Sequence, residues 1–138
     1  MTMHQATGIA IGARAVLIEG APGIGKTSLA LALIDRGAVL IGDDGVAIEI
    51  SGGRLLASCP PATTGLIEVR NVGIITRPVA AHVPVALVLR LDHGAPRHVE
   101  AAETYAIAGC SLPLIRLFPD SPVLALRAEM ALTRYGIA

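Results

Sequence analysis

The chain has 138 residues, 53% of them hydrophobic, and its 11 basic side chains balance 11 acidic ones. That length and apolar share suit one domain with its own core, expected to span residues 1–138. A neutral chain with no basic run offers no footprint for DNA or an acidic membrane. With 2 Tyr, 1 Phe and no Trp it also lacks the aromatic platform on which single-stranded nucleic acid stacks.

Cys59 and Cys110 stand apart, with no C-x-x-C pair and no His at metal-ligand spacing, as reduced thiols of a cytosolic protein do. The chain opens without the basic region of a secretory signal, and no apolar run approaches the ~20 residues of a membrane span. A soluble, cytoplasmic protein is expected.

In chain order, "GIAIGARAVLIEG" predicts two short strands about a Gly12-Ala13 turn, the second with the unbroken apolar run of a strand buried in an α/β sheet. "KTSLALALIDR", Lys26 to about Arg36, predicts a helix of roughly three turns stopped by Gly37. "AVLIGDD" is a β run ending in carboxylates, followed by "VAIEI", a turn over Ser51-Gly52-Gly53-Arg54, and "LLASC". By the right-handed crossover rule the run ending at Asp43 should lie parallel and close to the strand before the helix, with its carboxyl end at the edge where that strand ends.

"PPATTG" reads as a stiff loop, and "LIEV" and "VGII" as short strands flanking Arg70-Asn71. "VPVALVLRL" at 83–91 is the strongest buried strand of the second half, whereas residues 92–104 are polar and predict no element. "SPVLALRAEMALTRYG" predicts a C-terminal helix closing at Gly136 and packing on the sheet.

"GAPGIGKT", Gly20 to Thr27, matches G-x-x-x-x-G-K-[ST] in full between a predicted strand and a predicted helix, the context that motif requires. Gly20, Ala21, Pro22, Gly23, Ile24 and Gly25 form a loop whose N–H groups can turn toward phosphate oxygens at a helix N-terminus. Lys26 is placed to reach the β- and γ-phosphates of a bound nucleotide, and the Thr27 hydroxyl to ligate Mg²⁺. Lys26 is also the only lysine in the chain. A compact ammonium on a flexible stem fits a phosphate cradle better than a planar guanidinium does.

Asp43 and Asp44 would face the bound phosphates, one helping to hold Mg²⁺ and the other accepting a hydroxyl proton from a nucleophile. On residue type alone, Asp-Asp-Gly is also an ordinary turn. Glu68, between Ile67 and Val69, opposes the core face of its strand and reads equally as solvated surface or as a ligand. His4 and Arg97 read as surface residues.

"GAPGIGKTSLALALIDRGAVLIGDDGVAIEI" followed by "GLIEVRNVGII" resembles the catalytic domain of bacterial HPr kinase/phosphorylase over about residues 4–78. That family combines a P-loop, a helix ending near R-G, an Asp-Asp strand end and a G-L-[IL]-E-[IV]-R signature. A weaker match continues through "RHVEAAETYAIAGCSLPLIRL", where Arg97 stands seven residues before Thr104, and ends on "LALRAEMALTRYG".

The resemblance implies a P-loop α/β core with a mixed sheet, related to phosphoenolpyruvate carboxykinase, and assembly as hexamers. It implies transfer of the γ-phosphoryl of ATP to a serine of HPr, a small carrier protein of the sugar phosphotransferase system. Asp43 then takes the place of the general base, Lys26 and Arg97 stabilise phosphoryl charge, Thr27 and Glu68 bind Mg²⁺, and His4 matches the catalytic histidine.

Four departures accompany it. The family's separate N-terminal domain is absent from this sequence, Gln5 replaces a glycine after His4, and Ser28 replaces an acidic residue after the loop. "FPDSPVLAL" stands where the family has a P-x-[RK]-P-G-R-N segment associated with dephosphorylation, which speaks against phosphorolysis. The expectation is a Mg²⁺-dependent serine kinase acting on HPr or an HPr-like phosphocarrier. Its alternatives are a P-loop kinase with another acceptor and a nucleotide-sensing module without catalysis.

Overall fold

In the computed structural model, which describes residues 1–138, the chain forms β1 (Thr2–His4), β2 (Thr7–Ile11), β3 (Arg14–Glu19), α1 (Lys26–Asp35), β4 (Val39–Gly42), β5 (Val46–Ser51) and β6 (Arg54–Ser58). A short 3-10 turn (Pro61–Thr63) precedes β7 (Leu66–Val69), β8 (Gly73–Thr76), β9 (Val83–Leu91), β10 (Glu103–Ile107), β11 (Cys110–Leu117) and α2 (Leu124–Tyr135). The predicted strand pair about Gly12, the helix after the glycine loop, the hairpins β5–β6 and β7–β8, strand β9 and the C-terminal helix are all present.

Alternate side chains of a strand leave opposite faces of its sheet. Val16 and Ile18 of β3 pack beneath the helices with Leu29, Ala30, Leu33, Ala128 and Leu132. Ala15 and Leu17 enter a second apolar layer on the other face, with Ile41, Ile48 and Leu55. A strand covered on both faces must be apolar at every position, which is why "AVLI" runs unbroken.

The main sheet has the order β1-β5-β6-β9-β3-β2-β4, and β11 joins β9 while β10 joins β11. It is mixed: β9 runs parallel to β3 and β11, and its other partner, β6, is antiparallel. On one side, Val83 and Pro84 at the start of β9 hold β6, whereas Val88 to Leu91 hold β11, so the sheet forks along this strand. Ala15 pairs with Val85 and Val16 with Leu87, leaving Ala86 as an extra residue. Its carbonyl accepts the Ile137 N–H at 3.0 Å, which ties the C-terminal segment to the central strand.

The expected place of β4 needs correction. It points the same way as β3, but β2 lies between them, antiparallel to both. The short hairpin at Gly12 fills that edge of β3 first, and the crossover through α1 lands one strand further out. Handedness fixes which way a crossover turns, not that its strands are neighbours.

Strands β10 and β11 went unread in the sequence for a local reason. Their two-residue turn places Ala108 at φ 50° and Gly109 at φ 82°. Hairpin turns of this kind are signalled by Asn or Gly at the first position, not Ala, and Pro113 inside β11 further obscures the pattern.

Candidate functional site

β3 delivers the chain to a glycine loop at the carboxyl edge of the sheet. Gly20 is required by close approach: a Cβ there would come within 2.9 Å of Ile24 Cγ2 and 3.1 Å of the Leu91 carbonyl oxygen. Gly23 and Gly25 serve backbone shape instead, with φ of 77° and 114° and open space where a Cβ would stand.

Helix α1 starts at Gly25 with no side-chain cap and no acidic residue in its first turn. Its first N–H groups have no intrahelical acceptor, and the helix dipole favours an anion at this end. Lys26 arches back over the loop, its Nζ donating to the Gly20 carbonyl at 2.7 Å and the Ala21 carbonyl at 3.3 Å.

β4 ends at Gly42, where a Cβ would collide with the Gly45 carbonyl oxygen. The intervening turn therefore carries Asp43 and Asp44 in a fixed, tight conformation. The Thr27 hydroxyl donates to Asp43 Oδ1 at 2.9 Å, and the Glu68 backbone N–H donates to Asp43 Oδ2 at 3.1 Å. Asp43 thus joins the helix after the loop to the β7–β8 hairpin. Asp44 sits at φ 60° with an exposed side chain, and its N–H faces the Thr7 hydroxyl at 3.4 Å.

Lys26, Thr27, Asp43 and the Glu68 main chain therefore converge on one edge, with the Glu68 side chain exposed. His4 takes another partner, and Arg97 stands apart from this group. Arg97 is exposed and lines a cleft with Phe118, Arg127, Met130 and Tyr135 against α2. No hydrogen bond links it to the Asp43 group.

His4 pairs across the sheet with Val46, just after the Asp43-Asp44 turn, and its Nε2 lies 2.7 Å from Glu19 Oε2. Glu19 is 9% exposed, the last residue of β3 before the loop. Its other oxygen accepts from Arg90 Nη2 at 2.8 Å, and the Arg90 guanidinium lies 4.9 Å from the centre of the Tyr105 ring. Burial alone would raise the Glu19 pKa, but the hydrogen bonds from His4 and Arg90 outweigh it and hold the carboxyl below its ordinary value. Sequence reading missed Glu19 and Arg90. The available signal was a glutamate at the inward-facing step of a buried strand, after Ala15 and Leu17.

The HPr Serine kinase C-terminal domain family matches residues 2–82. The chain belongs to that family. The matched stretch of this HPr serine kinase C-terminal domain holds His4, the glycine loop, Asp43, Asp44 and Glu68, and Arg97 lies beyond it. The domain is 53% identical over 60 residues to the HPr kinase/phosphorylase of Clostridium botulinum, covering 44% of this chain and 20% of that protein. It is 37% identical over 86 residues to that of Exiguobacterium sp., covering 56% of this chain and 28% of that protein. The aligned region thus spans between a fifth and little more than a quarter of those curated relatives.

Among solved structures, the Hpr(Ser) kinase/phosphatase from Coxiella burnetii superposes with a TM-score of 0.85 at 31% identity, over 96% of this chain and 89% of that one. Unlike the family match, this likeness extends past residue 82 through β10, β11 and α2. No helix of the domain is long and apolar enough to cross a membrane.

Proposed function

We propose that this domain is an ATP- and Mg²⁺-dependent protein serine kinase whose acceptor is HPr or an HPr-like phosphocarrier. The observation that carries the reading is the Asp43 carboxylate, fixed by the Thr27 hydroxyl at 2.9 Å and the Glu68 N–H at 3.1 Å beside an uncapped helix end.

The residues suit the cation. Mg²⁺ takes hard oxygen ligands, usually one or two carboxylates with water and substrate phosphates, and Thr27 and Glu68 supply such oxygens. When bound, the metal neutralises charge on the β- and γ-phosphate oxygens. The loop N–H groups of Gly23 and Gly25 and the first turn of α1 bind and orient the phosphates. Lys26 exchanges its carbonyl contacts for phosphate oxygens and stabilises charge there. Asp43, acceptor-only when ionised, takes the proton of the incoming serine hydroxyl as that oxygen bonds to the γ-phosphorus and the bond from that phosphorus to the β,γ-bridging oxygen breaks, releasing ADP. Asp44, on the same turn, adds negative charge and a ligand for bound water.

Transfer of γ-labelled phosphate from Mg-ATP to HPr tests this reading. Label on an HPr serine is expected with the natural chain and is lost in Lys26→Ala and Asp43→Asn, the latter retaining nucleotide binding. Full transfer by Asp43→Asn removes that residue from the role of base. Label on another component of a cell extract, with HPr untouched, assigns a different acceptor.

A further inference from the structure

The geometry points to Glu19 as a positioning residue that sets the tautomer of His4, giving Nε2 the proton and leaving Nδ1 as the ring nitrogen able to take one. This rests on the kinase reading only for its catalytic consequence. The tautomer itself follows from the contacts.

Both Glu19 oxygens are engaged, Oε2 with His4 Nε2 at 2.7 Å and Oε1 with Arg90 Nη2 at 2.8 Å. The groups facing it come from three other elements: His4 of β1, Arg90 of β9 and Tyr105 of β10. An ionised carboxylate only accepts hydrogen bonds, so at 2.7 Å the imidazole must be the donor. The arginine keeps the carboxylate ionised and oriented, and is itself held over the Tyr105 ring at 4.9 Å. A buried carboxylate that orients a histidine by one ring nitrogen fixes which nitrogen does chemistry.

The location gives this pair its use. Glu19 is covalently next to Gly20, and His4 sits on the strand paired with β5 opposite Val46, just past the aspartate turn. One carboxylate therefore ties the root of the glycine loop to the histidine paired opposite Val46, the second residue after Asp44. The Glu19–Arg90 pair is also a direct cross-strand pair of the parallel β3–β9 ladder, so it is fixed by main-chain register.

Glu19→Gln is the decisive variant because it preserves shape. Arg90 has only donors and takes the amide oxygen. The amide NH2 then faces His4, whose Nε2 must become the acceptor, moving the ring proton to Nδ1.

Two-bond ¹H–¹⁵N correlation spectra of the full chain at alkaline pH read the tautomers of its 4 histidines, with His4 assigned by the signal lost in His4→Gln. The Nε2–H form is expected in the natural chain and in Glu19→Asp, and the Nδ1–H form in Glu19→Gln. Transfer to HPr should fall about 100-fold in Glu19→Gln and recover partly in Glu19→Asp, while affinity for a fluorescent ATP analogue stays within about twofold. An Nε2–H signal persisting in Glu19→Gln overturns the inference, as does a switched tautomer with undiminished transfer. Absence of transfer by the natural chain fails the kinase reading alone, and the tautomer then decides the role of Glu19.

Discussion

Gly25 holds φ at 114° with nothing within 4 Å of where a Cβ would stand, so alanine there meets backbone strain and no collision. The cost is about 1–2 kcal/mol, and it falls on the loop conformation to which the proposed kinase assigns phosphate binding. Gly42→Ala acts differently, because its methyl group would enter the Gly45 carbonyl and force the aspartate turn to move. Gly25→Ala should therefore weaken ATP-analogue binding with a small change in Tm. Gly42→Ala should lower Tm further and impair transfer more than binding. Titration and thermal melts on both variants separate the two cases, and the reverse pattern would exchange the roles assigned to the loop and the turn. The glycine loop between β3 and α1 was legible in the sequence because one contiguous motif specifies a strand, a turn and a helix start. Glu19 and Arg90 were not, because they lie 71 residues apart and meet only through the β3–β9 register.

At the scale of elements, Glu19 connects β1 to β9 through β3, and its ionisation links that junction to pH. Its folded pKa is depressed by the His4 and Arg90 hydrogen bonds in spite of burial. A depressed carboxylate contributes stability that is complete above its unfolded pKa, about 4.3, and is lost as pH falls through the lower folded value. Glu19→Gln should therefore melt well below the natural chain at about pH 7, and the gap should close as pH falls below about 4. A gap that is constant across melts from neutral to acid pH would exclude the linkage. Asp92 works in the same direction from a half-buried position, its carboxyl lowered first by the Gly94 N–H and then by Arg116. Elements marked by glycines at both ends, an unbroken apolar run or a glycine turn, as α1, β9 and the β5–β6 hairpin are, could be read directly. β1 is too short to show a period. β10 and β11 carry their turn on Ala108, whose left-handed conformation no residue preference announces.

At the scale of the molecule, β9 is the strand on which the two apolar layers and both branches of the sheet depend, yet the sequence displays it only as a hydrophobic run. The fork arises because β6 and β11 share one side of β9 at different heights, a relation between segments far apart in the chain. The arrangement predicts sharply unequal costs for two similar truncations. Leu89 is 0% exposed between β3, β11 and the helices, whereas Ile74 of the separate β7–β8 hairpin is 69% exposed. Leu89→Ala should destabilise by about 2–5 kcal/mol, since it removes transfer energy and leaves a cavity that the shared strand cannot collapse into. Ile74→Ala should stay within about 0.5 kcal/mol of the natural chain. Urea unfolding of the two variants gives the comparison. Equal losses would mean that the hairpin is packed against something in solution, and a small loss at Leu89 would mean that β9 is not the common support of the sheet.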